Sequence, residues 1–115
     1  MSQEHRKVSR IKHPFMLRYR PVGPGMSEWS LTPLRDLSGL GARFLSDRLL
    51  AKGDALEIRL MLSTSPQPVP LEGEVAWVKL DSTLGLPEVG VTFVVRDAAT
   101  QELLDAAVRH FLERR

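Results

Sequence analysis

The sequence predicts a mainly β domain, an antiparallel barrel or sandwich of about six strands followed by one C-terminal helix. Short runs of alternating apolar and polar residues, separated by glycine and proline, indicate the strands. Near the C-terminus the spacing of apolar residues changes from two to that of a helix. The chain has 115 residues, of which 43% are hydrophobic and 26% charged, and these values fit one domain with a packed core.

Four strands are predicted in the first half of the chain, at residues 15–20, 28–37, 42–46 and 56–62. The first strand ends at a break rich in proline and glycine, residues 21–25. Ser38-Gly-Leu-Gly41 predicts a tight turn before the third strand, and Lys52-Gly53-Asp54 predicts a turn before the fourth. In that fourth strand the apolar residues recur with a period of two, which indicates a half-buried strand; they are Leu56, Ile58, Leu60 and Leu62.

Two more strands and the helix are predicted in the second half, at residues 71–79, 88–95 and from 98 onwards. Three prolines within residues 63–70 predict a loop there, and residues 80–87 predict a hairpin loop. Trp77 alternates with Val75 and is therefore expected in the core. Either Asp97 or Thr100 can cap the helix. One apolar stripe marks its buried face, formed by Leu103, Leu104, Ala107, Val108, Phe111 and Leu112.

The charge is distributed unevenly along the chain. Residues 1–20 contain six basic side chains and one acidic one, whereas the other 95 residues contain ten basic and thirteen acidic ones. A cationic arm on a mildly acidic body indicates an anionic partner of limited size, because a protein that coats DNA or RNA usually spreads positive charge over a whole face. We therefore expect no DNA or RNA partner.

Membrane insertion and secretion are not expected either. No apolar run approaches the roughly 20 residues that a membrane helix needs, and the N-terminal charges are not followed by an apolar stretch. The absence of cysteine excludes disulfides and thiolate metal sites and fits a cytoplasmic protein. We expect neither a bound metal nor a cofactor.

Two short motifs carry candidate binding chemistry. Arg6 and Arg10 stand four residues apart, and a guanidinium can hydrogen-bond a phosphate or guanine in a forked manner and can stack on a base. In Asp36-Leu-Ser-Gly-Leu-Gly41, the carboxylate can accept hydrogen bonds from the N1–H and N2–H edge of guanine, and Ser38 can donate to a phosphate. Taken singly, the first motif also fits a solvated basic tail and the second a serine-stabilised turn.

The two motifs together, in this order, resemble those of the PilZ domain family, bacterial receptors for cyclic di-GMP. The family pattern is Arg-x-x-x-Arg before the first strand and Asp/Asn-x-Ser-x-x-Gly between two later strands. The resemblance continues along nearly the whole chain, from about residue 4 to residue 112, through the stretches Gly53-Asp54, Glu74-Val-Ala-Trp-Val78 and Val89-Gly-Val-Thr-Phe93 and the closing amphipathic helix.

This resemblance implies a six-stranded antiparallel β-barrel with a C-terminal α-helix, residues 14–115, preceded by a flexible basic arm, residues 1–13. It implies that the arm folds over cyclic di-GMP on the barrel surface and that a downstream protein reads the ordered state, with outputs such as motility, pili, surface polysaccharide or virulence. The implied ligand-binding residues are Arg6, Arg10, Asp36, Ser38 and Gly41. The residues implied to lie beside the ligand are His5, Lys7, Gly39 and Arg43.

Other functions fit the sequence less well. Ser38 lacks the Gly-x-Ser-x-Gly context of a hydrolase, and the three histidines have no recognisable orienting partner, so we expect no enzyme. A single-stranded nucleic-acid binder would need several exposed aromatic residues. The alternative that stays open is a protein-interaction adaptor of the same family that binds no nucleotide. The long loop from Pro21 to Trp29 has no explanation at this point, and Trp29 can either pack locally or contact a partner.

Overall fold

Within the described residues, six antiparallel strands close into a barrel and one helix follows them. The computed structural model describes residues 15–23, 28–62, 67–81, 83 and 85–113. The strands are β1 (Met16–Pro21), β2 (Ser30–Leu37), β3 (Gly41–Leu45), β4 (Ala55–Met61), β5 (Val69–Asp81) and β6 (Leu86–Val94), and the helix is α1 (Ala98–Glu113). Around the barrel the order is β1-β2-β3-β6-β5-β4, and β4 pairs with β1. The prediction of a six-stranded antiparallel barrel with a C-terminal helix is confirmed.

Alternating side chains fill the inside of the barrel, as the period of two predicted. Tyr19 of β1 and Phe44 of β3 are both fully buried, and their ring centroids lie 4.8 Å apart. Apolar residues from β4 and β6 complete this centre; they are Leu56, Ile58, Leu60, Val89, Val91 and Phe93. Burial of these side chains supplies the main stabilising free energy of the fold.

The fifth strand is longer than predicted at both ends, since it reaches Asp81 inside the expected hairpin loop, and one of its side chains faces the other way. It begins at Val69, inside the expected loop, and Pro70 pairs with Arg59 of β4. Proline is tolerated here because β6 joins β5 only from Glu72 onwards, so that β5 is locally an edge strand. The expectation that Trp77 lies in the core is wrong: the pairing with β6 shifts by one residue at Ala76, and this bulge turns Trp77 outward, where it is 40% exposed.

The helix covers the barrel end at which β1 begins. Asp97 caps it, because its Oδ1 accepts a hydrogen bond of 2.7 Å from the backbone N–H of Thr100, as predicted. Leu104 and Ala107 are fully buried against the barrel core. The ring of His110 stacks on that of Phe15, which immediately precedes β1. Leu103, predicted to lie in the apolar stripe, is 43% exposed at the stripe's edge.

A helix that could cross a membrane would need to be longer and more apolar than any in the described part of the chain.

A polar cluster around the hydroxyl of Tyr19 ties β1 to the loop after β3. Tyr19 Oη lies 2.8 Å from Ser46 Oγ, donates to Asp47 Oδ1 at 2.8 Å, and accepts from the Asp47 backbone N–H at 3.1 Å. Hydrogen bonds from Ser30 and then from Tyr19 lower the pKa of Asp47. Tyr19 and Ser46 are fully buried, so this cluster satisfies polar groups that would otherwise be costly inside the fold.

Tyr19→Phe is expected to lower the free energy of unfolding by about 1–3 kcal/mol at neutral pH, because it removes the hydrogen bonds of the buried Tyr19 hydroxyl to Ser46 and Asp47. The lowered pKa of Asp47 stabilises the fold at pH values above its ordinary pKa, and this contribution is lost as the pH falls through the folded-state pKa. The difference between wild type and variant therefore shrinks in acid. Urea unfolding at neutral and at acidic pH measures both effects, and equal stability of the two proteins at neutral pH would contradict them.

Candidate functional site

One cross-strand row on the outside of the barrel brings together a carboxylate, a guanidinium and an indole. Asp36 of β2 pairs with Arg43 of β3, Arg43 pairs with Gly90 of β6, and Gly90 pairs with Trp77 of β5. Paired residues of neighbouring strands project to the same face, and the strands lie about 4.8 Å apart. The row Asp36–Arg43–Gly90–Trp77, called the site row below, lines an open hollow of about 260 Å³.

The indole of Trp77 lies directly over Gly90. A Cβ atom on Gly90 would come within 2.2 Å of the Trp77 ring, so only glycine lets the ring lie flat across β6. Because Trp77 is 40% exposed, the ring also presents surface to the hollow. An exposed aromatic face of this kind can stack on a planar base.

The turn from Ser38 to Gly41 forms one border of the hollow and is held by the serine hydroxyl. Ser38 Oγ accepts hydrogen bonds from the backbone N–H groups of Leu40 at 3.1 Å and Gly41 at 3.2 Å. The hydroxyl proton has only a long contact, 3.4 Å, to the carbonyl oxygen of Gly41. Ser38 is exposed, so that its hydroxyl can donate instead to an anion in the hollow.

The two glycines of this turn serve different neighbours. A Cβ on Gly41 would lie 2.0 Å from the carbonyl oxygen of Val91, so glycine is required for β3 to approach β6. Gly39 faces α1: its carbonyl oxygen accepts a hydrogen bond of 3.2 Å from Gln101 Nε2, and a Cβ there would lie 3.0 Å from Asp105 Oδ1. Gly41 borders the hollow, whereas Gly39 links the turn to the helix.

A buried carboxylate fixes the guanidinium of the site row. Glu88 of β6 is 4% exposed, and its Oε2 accepts hydrogen bonds from Arg43 Nη1 at 3.2 Å and Arg35 Nη1 at 3.1 Å. Arg35 also donates to Asp81 at 3.0 Å, and the hydrogen bond to Glu88 is the main cause that raises the pKa of Arg35. Lys79 Nζ lies 4.0 Å from Glu88 Oε1. One acid thus holds three cations at the β5–β6 hairpin.

Arg43 and Asp36 face each other across the β2–β3 pair. Arg43 Nη2 lies 3.9 Å from Asp36 Oδ2, and both side chains are about half exposed, 42% and 50%. Asp36 Oδ1 accepts a hydrogen bond of 3.0 Å from the backbone N–H of Leu37. Oδ2 is thus held only loosely, and the pair can bind a ligand that carries hydrogen-bond donors beside an anionic group.

One of the two sequence motifs lies at the hollow, and the other lies outside the described residues. Asp36, Ser38, Gly41 and Arg43 all line the hollow, whereas Gly39 packs on α1. The arm residues His5, Lys7, Arg6 and Arg10 lie outside the described residues.

Sequence reasoning missed three contributors to the site. Trp77 was assigned to the core, and Gly90 and Glu88 were not considered. The available signal was Gly90 itself, since a glycine inside a strand of β-branched residues often marks a bulge or a close approach. Nothing in the sequence pairs Glu88 with Arg43, because they lie 45 residues apart.

The described residues contain no group of three or more histidine, aspartate or glutamate side chains arranged to hold a metal ion. The site row instead combines donors, an acceptor and an aromatic face, which suits an organic ligand with a planar base and a negative charge.

Comparison with known proteins identifies this architecture. The model of the PilZ domain family matches residues 3–110. A structure titled as that of the Bacillus subtilis inhibitor of motility, MotI/DgrA, matches with a TM-score of 0.69 and 16% sequence identity. The match covers 88% of this chain and 48% of that one, so this chain spans about half the length of the Bacillus protein. No curated protein matches the sequence.

The family match covers most of the chain, and the six-stranded barrel with its C-terminal helix is the fold shared with the Bacillus structure. PilZ domains are ligand-binding or adaptor domains rather than enzymes, and they are typically receptors for cyclic di-GMP. The chain belongs to the PilZ domain family.

Proposed function

We propose that this protein is a bacterial, cytoplasmic receptor that binds cyclic di-GMP on the site row and closes its basic arm over the ligand. The observation that carries the proposal is the site row itself, in which Asp36, Arg43 and Trp77 stand side by side next to the Ser38–Gly41 turn. Cyclic di-GMP offers the matching groups, namely two guanine bases and two phosphates. No metal or cofactor is part of the proposal.

Each group in the hollow has a role that its chemistry supports. Asp36 accepts hydrogen bonds from the N1–H and N2–H edge of one guanine, and the indole of Trp77 stacks on a base. Arg43, held by Glu88, and the hydroxyl of Ser38 face the phosphates. Gly41 keeps β3 close to β6, which sets the spacing between the turn and the site row.

The place where the arm joins the barrel supports the participation of Arg6 and Arg10. Phe15 precedes β1 and its carbonyl oxygen accepts a hydrogen bond of 3.2 Å from the N–H of Leu34, two residues before Asp36. Arg10 lies five positions before Phe15, and an extended chain of five residue steps reaches about 17 Å. The side chain of Arg10 is therefore within reach of the site row, and Arg6 can extend across it.

Signalling in this proposal is a disorder-to-order change of the arm. The arm carries mostly like charges, which favour an open state until an anion neutralises them. Ordering the arm on the barrel creates a new surface, which a downstream protein reads. The similar Bacillus protein is named as an inhibitor of motility, and we propose control of motility or biofilm formation as the output class here.

One observation favours the alternative of an adaptor that binds no nucleotide. Asp36 and Arg43 already face each other, and Ser38 is engaged in its own turn, so the site is nearly satisfied without a ligand. The experiments below separate these two functions.

Titration calorimetry with the full chain tests the receptor function directly. Cyclic di-GMP is expected to bind, whereas cyclic di-AMP and GTP bind much more weakly, because adenine lacks the donor edge that Asp36 reads and GTP lacks the second base. Asp36→Ala is expected to remove the preference for the guanine dinucleotide. If the wild-type protein does not bind cyclic di-GMP at high concentration, the receptor function is refuted and the adaptor function is favoured.

Arg10→Ala is expected to abolish cyclic di-GMP binding, because it removes a forked donor to phosphate or base, and charge-assisted hydrogen bonds contribute about 1.5–3 kcal/mol each. The thermal midpoint of the ligand-free protein should stay unchanged. Lys12→Ala, in the same arm and with the same loss of charge, is the matched control and should retain binding. Equal affinities of the two variants would refute the role of Arg10.

Trp77→Ala is expected to weaken cyclic di-GMP binding roughly 5- to 150-fold, which corresponds to about 1–3 kcal/mol for the loss of one stacked base. The control is Trp29→Ala, which removes the other tryptophan; Trp29 precedes β2 and packs against Arg20 of β1. Ligand should quench tryptophan fluorescence in the Trp29→Ala protein and leave it unchanged in the Trp77→Ala protein. The reverse pattern would remove Trp77 from the site.

A further inference from the structure

A second charged surface lies on the β1–β4 side of the barrel. Trp29, just before β2, lies among the guanidinium groups of Arg20, Arg59 and Arg18, with Cζ-to-ring-centroid distances of 4.3, 5.2 and 5.9 Å. We call these four residues the arginine wall. In the barrel order the β1–β4 pair lies opposite the β3–β6 pair, so the arginine wall and the site row are on opposite sides of the molecule.

The positive charge of the arginine wall is not balanced within the described chain. Arg18 and Arg59 are directly paired across β1 and β4, an arrangement of like charges that is unfavourable on a sheet. Glu57 pairs with Arg20 at 2.6 Å. Among the described residues, no carboxylate lies within 4.0 Å of Arg18 or Arg59, and the Nε of Arg18 is buried without a hydrogen-bond partner.

The stretches outside the described residues are poor in carboxylate side chains. Residues 1–14, 24–27 and 63–66 contain one carboxylate side chain, that of Glu4, and the first of these stretches contains four lysines and arginines. The protein's own arm is therefore of the wrong charge to cover the arginine wall. A buried donor without an acceptor and a pair of opposed arginines are both unfavourable, and carboxylates supplied by another molecule would relieve both.

Apolar side chains surround the arginine pair. Leu31 of β2 pairs with Arg18 and is 60% exposed, and Pro70 of β5 pairs with Arg59 and is exposed. The next row along the strands contains Met16 and Met61, which are half-buried. Arginine, tryptophan and methionine at the centre of an apolar patch are the composition of protein–protein interfaces.

We propose that the arginine wall is a docking surface for an acidic protein segment that carries both carboxylates and apolar side chains. The carboxylates would pair with Arg18 and Arg59, and the apolar side chains would cover Leu31 and the methionines. Glu72 and Glu74 point outward on the neighbouring strand β5, paired with Glu57 and Ala55. Glu72 is already paired with Arg96 at 2.7 Å, so Glu74 is the charge that would repel an extended polyanion such as nucleic acid or a lipid surface, whereas a short segment with localised charge avoids it.

This surface goes beyond the receptor function, because it needs no cyclic di-GMP. Its position across the barrel leaves the site row free, so that ligand and partner can bind at the same time. The arginine wall would therefore bind its partner whether or not cyclic di-GMP is present.

Fluorescence of Trp29 reports directly on the arginine wall. The chain has two tryptophans, so Trp77→Phe leaves Trp29 as the sole indole. In this background the full chain is titrated with a short synthetic peptide of alternating glutamate and valine, with the same peptide carrying glutamine for glutamate, with single-stranded oligothymidine and with phosphatidylglycerol vesicles. The acidic peptide is expected to change Trp29 emission saturably and to bind more tightly than the other three probes.

The double variant Arg18→Gln/Arg59→Gln is expected to weaken the acidic peptide at least about tenfold, in line with loss of a central arginine pair. Lys52→Gln/Arg109→Gln removes the same charge at two exposed positions outside the wall and should stay within about twofold of the parent. Leu31→Glu places a repelling charge on the exposed rim and should weaken the peptide similarly, so it decides the matter if the arginine variant does not fold.

Four results would overturn the docking surface: no binding of the acidic peptide, equal loss in the matched charge control, unchanged binding in Leu31→Glu, or tighter binding of oligothymidine or vesicles. The Arg18→Gln/Arg59→Gln protein with Trp77 intact should bind cyclic di-GMP as the wild type does. Failure of the docking surface is thereby distinguished from failure of the receptor function, which calorimetry on the wild type tests.

Discussion

Two one-residue bulges determine which side chains the outer surface of this barrel presents. In β2 the pairing with β3 shifts at Arg35, and in β5 the pairing with β6 shifts at Ala76. Each shift reverses the alternation of the strand, because the side-chain period is two. Without the first bulge Asp36 would point into the core, and without the second Trp77 would. The site row exists because the inward–outward alternation of side chains reverses in both strands at the same height of the barrel.

Ion pairs then hold the outward-facing side chains of the site row in place. Glu88 is almost completely buried, yet it is held by Arg35 and Arg43 from two neighbouring strands and lies within ion-pair distance of Lys79. Burying a carboxylate is costly unless cations and hydrogen bonds compensate it. Here the compensating cations belong to long side chains that would otherwise be mobile on the surface. Because Arg43 compensates the buried carboxylate of Glu88, its guanidinium is held in place beside Asp36. The β5–β6 hairpin, remote in sequence from the Asp36–Gly41 motif, becomes part of the same unit.

The fold could be predicted from the sequence to a large extent, because its signals are local. Alternation located β4 and β6, the Lys52-Gly53-Asp54 turn is present with a positive φ of 95° at Gly53, and the helix cap is Asp97. Asp36, Ser38 and Gly41 of the motif and the neighbouring Arg43 line one hollow. The errors lie in the strand register: Gly90 was the only sequence signal near the β5 bulge, and the alternation alone placed Trp77 in the core. The Glu88 pairs and the arginine wall depend on which strands become neighbours, which alternation alone does not reveal.

The close approach at Gly41 bears on how sequences of this kind are interpreted. The position is occupied from the side by the Val91 carbonyl, and any larger residue would force two strands apart. A PilZ domain that binds no nucleotide would need glycine at this position for the same steric reason. The presence of the motif glycine is therefore a poor indicator that a domain binds a ligand. The carboxylate two residues before the serine contributes little to the barrel itself, so its presence is a far better indicator of ligand binding.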